Sequence, residues 1–200
     1  MIPGILRKNM RYPPEHKAEI RRKILNDASR RVRAKGLTGA GVAAVMSDTG
    51  LTHGGFYKHF ASKDELLLES LREAFREIAD KLSAVAEQSP SEAPWKAIVK
   101  AYLSLEYCDH IEQGCPLPAL APEMARVETG MKGQIFTELV KYKDRMVPFM
   151  PGRRTQDKER SFFVIFSTMV GAVEIARILP NRAAQERVLS STREFLLSSF

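Results

Sequence analysis

The run TGLTHGGFYKHFASKDEL, residues 49–66, decides how the rest of the chain is read. Thr52 has the character of a helix N-cap, and the positions through Phe60 read as one short helix with Phe56 and Phe60 four residues apart. Gly54 and Gly55 both fall in its first turn. Each should weaken the helix by about 1 kcal/mol relative to alanine. Two bare positions side by side are explained where the backbone itself must approach another surface. Ser62 and Glu65 then form a capping box, the signature of a further helix start.

Upstream, Pro13 and Pro14 open a helix that should end near Gly36. Ile20, Ile24, Ala28 and Val32 repeat every four residues along one face. Arg21, Arg22, Arg30, Arg31 and Arg33 lie largely elsewhere and read as a solvated face. A second, short helix is expected over 41–48, with Val42, Val45 and Met46 turned inward and Gly50 ending it. A long basic helix followed by two short helices around TGLT makes a helix-turn-helix. In such units the second short helix presents its N-terminal end to the DNA major groove, so its first turn must be slim. That accounts for Gly54 and Gly55. Thr52 would cap the helix and aim its amide end at a phosphate, while Tyr57 and His59 hydrogen-bond phosphate and Lys58 pairs with it. His53 is placed to reach base edges, although an exposed histidine is as often simply solvated. Lys63 opens the next helix, where a cation opposes the macrodipole unless an outside anion compensates.

Charge is distributed to match. The whole chain has a formal net charge of +7, but residues 1–63 hold 13 Lys and Arg against 4 Asp and Glu, and residues 64–200 hold 18 against 20. The N-terminal third therefore carries +9 and the remainder −2, which places an affinity for polyanions at the helix-turn-helix. With 44% hydrophobic residues the chain can also bury a core. No signal peptide and no uninterrupted membrane span are expected, and two cysteines do not make a secreted disulfide framework. A cytoplasmic location is the expectation.

At these residues the chain resembles a known family. GLTGAGVAAVMSDTGLTHGGFYKHFASKDELL is similar to the DNA-binding region of the TetR/AcrR family of bacterial transcriptional repressors. The likeness spans about residues 15–70, roughly a quarter of the chain. It implies that Thr52, Gly54, Tyr57, His59 and Lys63 fall at DNA-contacting positions and that Phe56 and Phe60 pack a three-helix core. Two departures stand out. Gly41 and Ala43 occupy positions where the family often has Ser or Thr and then Arg, and Gly55 replaces a commoner Thr or Ser.

The remainder reads as helical throughout, which makes the chain all-α. It comprises a helix-turn-helix DNA-binding domain over 1–62 and a larger domain over 63–200. A long helix from Ser62 carries the seam Leu67, Leu71, Phe75, Ile78 and Leu82. AEQSPSEAP is a linker into a helix from Trp95 to about Tyr107. Further helices are expected at about 116–128, 131–147, 156–179 and 182–198. The resemblance implies that this second domain dimerises and binds a small molecule. SFFVIFSTMVGAVEIARIL and NRAAQERVLSSTREFLLSSF would be the paired dimerisation helices, unless they pack inside a monomeric core. Large side chains in excess offer a pocket: Trp95, Tyr102, Tyr107, Met124, Phe136, Phe162, Phe166 and Met169, with Cys115, and Glu106 or Glu174 as a polar partner, although the large residues equally suit a core and both glutamates an exposed surface.

YCDHIEQGCPLPAL invites other chemistry. Cys108, His110 and Cys115 are zinc-ligand types but lack paired short spacings, so no metal site is expected. Cys115 precedes Pro116 at a helix start, where amide ends would lower its pKa and favour a thiolate sensor; the plain alternative is a small buried hydrophobe. No nucleophile-base pair or phosphate loop points to an enzyme, and no cofactor is implied. The reading is a homodimeric regulator of a palindromic operator, released by an effector. Its rivals are a helical ligand-binding or adaptor protein without specific DNA binding, and a redox or electrophile sensor using Cys115.

Overall fold

The computed structural model describes residues 14–39 and 53–200, and these residues form helices and turns with no strand among them. Helix α1 spans Pro14–Gly39 and buries Ile24, Ala28 and Val32, three positions of the expected stripe, with Ile20 packed at its edge. It breaks at Gly36 rather than ending there. Gly36 has φ of 79°, and a Cβ added to it would stand 2.6 Å from Glu123 Oε1. The positive φ reserves the position for glycine, and a larger residue would in addition displace the Glu123 carboxylate. The segment read as a helix over 41–48 lies outside the described residues.

Helix α2 covers His53–Phe56 and is shorter than the sequence implies. The amides of Lys58 and His59 donate to carbonyls three residues back, on Gly55 at 3.3 Å and Phe56 at 2.8 Å, so the chain tightens into a turn before Phe60. Phe56 and Phe60 are buried and stack with ring centroids 5.5 Å apart.

Helix α3, Lys63–Glu87, buries the whole expected seam from Leu67 to Leu82. Ser62 Oγ accepts the Glu65 amide at 3.0 Å, and the Glu65 carboxylate accepts the Ala61 amide at 2.6 Å, one residue before its partner in an ordinary capping box. The next expected helix is two: α4, Pro94–Tyr102, and α5, Leu105–Asp109. Ser104 is the reason. Its backbone is extended and its Oγ accepts the Tyr107 amide at 3.1 Å, so it caps a fresh start instead of continuing the first helix. Then follow α6 (Leu117–Met124), α7 (Thr129–Met146), α8 (Thr155–Ile178) and α9 (Arg182–Ser199). Among the described helices α8 is long and apolar enough to cross a membrane, yet it packs Phe162, Ile165, Phe166, Met169 and Val173 into the protein core.

Two arginines of α1 are not solvated as the sequence implies. Arg33 is 2% exposed and donates to Ser29 O at 3.2 Å, to Gly114 O at 3.1 Å and to Glu77 Oε2 at 2.6 Å. Arg21 donates to Glu69 at 2.6 Å and to His59 O at 3.3 Å, and its guanidinium lies 4.7 Å from the centre of the Phe60 ring. The four-residue repeat correctly marks the apolar stripe, but it cannot show that a neighbouring carboxylate and carbonyl will convert a flanking cation into a clamp.

Candidate nucleic-acid interface and effector pocket

The α2 region is built from inside outward. Phe56 and Phe60 are anchored against α1 and α3, and this fixes the residues between them. Tyr57, 61% exposed, projects outward with its ring edge-on to Phe56 at 5.1 Å. Lys58 is exposed beside it, and Lys63 is exposed at the first position of α3. His59 is half-buried: its carbonyl accepts from Arg21, while Nδ1 is shielded and has no hydrogen-bond partner among the described residues. Burial, and then the charges of Lys17, Arg21 and Lys58, hold its pKa below the ordinary value. Thr52 and the side chains of His53 and Gly54 lie outside the described residues. The turn thus brings one phenol, one imidazole and two ammonium groups to one end of the molecule.

A cavity of about 730 Å³ opens between α6, α7 and α8. Phe136, Phe162 and Phe166, three of the residues read from the sequence as pocket candidates, line it, and so does Glu174, read as a polar partner. So do Tyr142 and Phe163, which the sequence does not mark as pocket residues, together with Lys143 and Glu159. Met124 lines a smaller neighbouring hollow that shares Phe136. Trp95 packs against Phe200 instead, and Tyr102, Met169 and Cys115 lie in the core away from the cavity wall. Aromatic content alone could not separate these groups, because a core ring and a pocket ring look the same in a sequence. The useful signal is the register of α8, where Phe163, Ser167, Val170 and Glu174 recur at helical spacing along the cavity.

Behind the cavity, Tyr102 and Tyr107 stack at 4.3 Å, and Tyr107 Oη accepts the Cys115 amide at 2.7 Å. Burial pushes the Cys115 thiol up to about 11, overriding the nearby amide, Tyr102, Arg177 and Arg33 that favour the thiolate. The expected low-pKa thiol is therefore reversed: the helix start is too deeply desolvated to hold a thiolate, and Cys115 is a buried, protonated small hydrophobe. Among the described residues no group of three His, Cys, Asp or Glu side chains is placed to hold a metal ion.

Tyr142 contributes its ring to the cavity, but its buried hydroxyl has no hydrogen-bond partner among the described residues. A stranded hydroxyl costs about 1–3 kcal/mol. Tyr142→Phe is therefore expected to stabilise the protein by about 1 kcal/mol, read as a higher urea midpoint at unchanged slope. A lower midpoint would show that the hydroxyl is satisfied in solution.

Residues 24–70 match the family described as "Bacterial regulatory proteins, tetR family". A search of curated protein sequences gave no match. Among solved structures, a TetR-family transcriptional regulator from Cytophaga hutchinsonii superposes with a TM-score of 0.73 at 19% identity, covering 94% of this chain and 98% of that one. A TetR transcriptional regulator from Chloroflexus aurantiacus gives 0.73 at 20%, covering 92% and 96%. The reduced form of E. coli NemR gives 0.71 at 16%, covering 90% and 96%. Residues 24–70 thus carry the sequence signature of that family, and the chain over nearly its full length shares the fold of these solved structures.

Proposed function

We propose that this DNA-binding regulator is a cytoplasmic homodimer that represses transcription from a palindromic operator and is released by a small-molecule effector. Residues 1–62 would form the DNA-binding domain, and residues 63–200 the ligand-binding and dimerisation domain. The observation that carries the reading is the α2 turn, where Tyr57, Lys58 and Lys63 stand exposed over two buried phenylalanines in the basic third of the chain. Thr52, His53, Gly54 and His59 complete the proposed contact set. On α8, Val164, Ile175 and Ile178 are exposed, and Phe195 is exposed on α9. Apolar surface of this kind supports a two-fold interface, which would set the two α2 helices roughly 34–36 Å apart, one turn of DNA.

Release would be a population shift. An effector that binds better to a conformation with misplaced α2 helices lowers operator affinity by that difference. Contacts crossing from α1 to the helical body support such coupling. Arg33 reaches Gly114 and Glu77, and Glu123 Oε2 accepts the Leu37 amide at 2.9 Å while its helix, α6, lines the cavity with Leu117 and Ala121.

The test is selection from randomised duplexes followed by a salt titration. An inverted repeat should emerge, and log affinity should fall linearly with log salt. Lys63→Ala should weaken binding to all sequences alike and reduce the salt slope by about 1. Failure to enrich any inverted repeat would refute the regulatory reading.

A further inference from the structure

We infer, resting on the DNA-binding reading above, that Lys17 of α1 is a further DNA contact and holds one backbone phosphate of the duplex together with Lys58 and His59. Lys17 lies outside the α2 turn, and the sequence does not mark it as a contact. Lys17 and Arg21 are four residues apart, so they share one face of α1, with Lys17 a helical turn nearer its start. Arg21 fixes where that face sits. Its Nε donates to the His59 carbonyl at 3.3 Å, and its guanidinium lies 4.7 Å from the centre of the Phe60 ring. Lys17 is thereby brought to the edge of the turn beside His59, where it is exposed.

The charges acting on the His59 ring are of one sign. Burial first, and then Lys17 ahead of Arg21 and Lys58, hold the ring below its ordinary pKa. The carboxylates that α3 brings to this end are engaged elsewhere: Glu69 accepts from Arg21 at 2.6 Å, and Glu65 pairs with Arg21 at 3.6 Å and accepts the Ala61 amide. Arg21 is thus neutralised, whereas Lys17, Lys58 and Lys63 form no ion pair among the described residues. Two ammonium groups, one on α1 and one on the turn, therefore act on a half-buried imidazole with no carboxylate to offset them. An anion set among them removes the repulsion, and a duplex phosphate also releases its own counterions on being neutralised. His59 Nδ1 is shielded, which leaves Nε2 as the ring nitrogen that can donate outward. The neutral ring then supplies a hydrogen bond and the lysines supply the charge. A duplex fits better than a lone anion, since Tyr57 and Lys63 stand exposed at the same end for its neighbouring phosphates.

Two measurements on the full chain test this. Without DNA, proton NMR of the His59 ring should show its pKa raised by Lys17→Met, because a repelling cation is gone, and unmoved by Lys81→Met near the far end of α3. The second probe is a short duplex of arbitrary sequence, titrated at a series of salt concentrations, so that no operator need be known. Lys17→Met should reduce the slope of log affinity against log salt by about 1 for each protomer bound, Lys17→Arg should restore it, and Lys81→Met should leave it unchanged. Both lysines are exposed, so the urea midpoint should stay where it is. A His59 pKa indifferent to Lys17, a slope that Lys17→Met leaves intact, or an equal loss from Lys81→Met would overturn the contact. So would a response of the His59 ring to inorganic phosphate equal to its response to duplex at the same phosphate concentration, which would assign a free-anion site. Selection of an operator judges the regulatory reading separately. A reduced slope with no inverted repeat recovered keeps the Lys17 contact and removes the regulator, whereas an inverted repeat bound with an unchanged slope does the reverse.

Discussion

Replacing Arg33 with alanine is expected to lower the unfolding free energy by about 3 kcal/mol, since removal of one member of a buried ion pair strands its partners. The side chain is wholly enclosed, whereas that of Glu77 is 31% exposed, which places the effect toward the low end for buried pairs. Four acceptors lose this donor together: the Ser29 and Gly114 carbonyls, the Ser29 hydroxyl and the Glu77 carboxylate. Arg33→Met should cost less, because it keeps the packing of the aliphatic stem. Urea denaturation of the two variants decides the matter, and a loss below about 0.5 kcal/mol for alanine would mean that the clamp is not maintained in solution.

Phe60→Ala is expected to cost a further-reaching 3–5 kcal/mol, roughly the range for emptying a phenylalanine site in a core. Phe60 is 1% exposed, stacks on Phe56 and lies beneath the Arg21 guanidinium, so its removal unsettles α1, α2 and α3 at one point. The consequence should be local before it is global. Hydrogen exchange should quicken first in residues 53–70, and operator binding should be lost at temperatures where α7 to α9 remain protected. Uniform acceleration along the whole chain would contradict a separately anchored DNA-reading end. Phe60→Leu, which retains most of the volume, should retain most of the protection.

Long-range periodicity made much of this molecule legible in advance. The stripe of α1, the seam of α3 and the spans of α7, α8 and α9 follow from apolar spacing and terminal caps, signals that operate within a few residues. What spacing does not carry is the environment contributed by distant segments. Ser104 reads as an unremarkable helix position until its hydroxyl is seen to cap α5. Arg33 resembles its exposed neighbours until Glu77 and Gly114 arrive from 44 and 81 residues away. Cys115 has the right neighbours for a thiolate, and burial reverses the sign. The proposed DNA-contact set could be written from sequence because its members lie within one short stretch. The cavity was not, because its walls come from three helices and only the packing of α6, α7 and α8 distinguishes Phe136 and Phe166 from Trp95 and Tyr102.

Gly36 has a mechanical consequence. With a carboxylate 2.6 Å from where a methyl would stand, the last turn of α1 is seated by Glu123 on one side and released from ideal helical geometry on the other. The joint therefore combines a break in the helix with a fixed anchor: the Glu123 carboxylate holds the Leu37 amide just beyond the break, within the wider packing of α1 on α6.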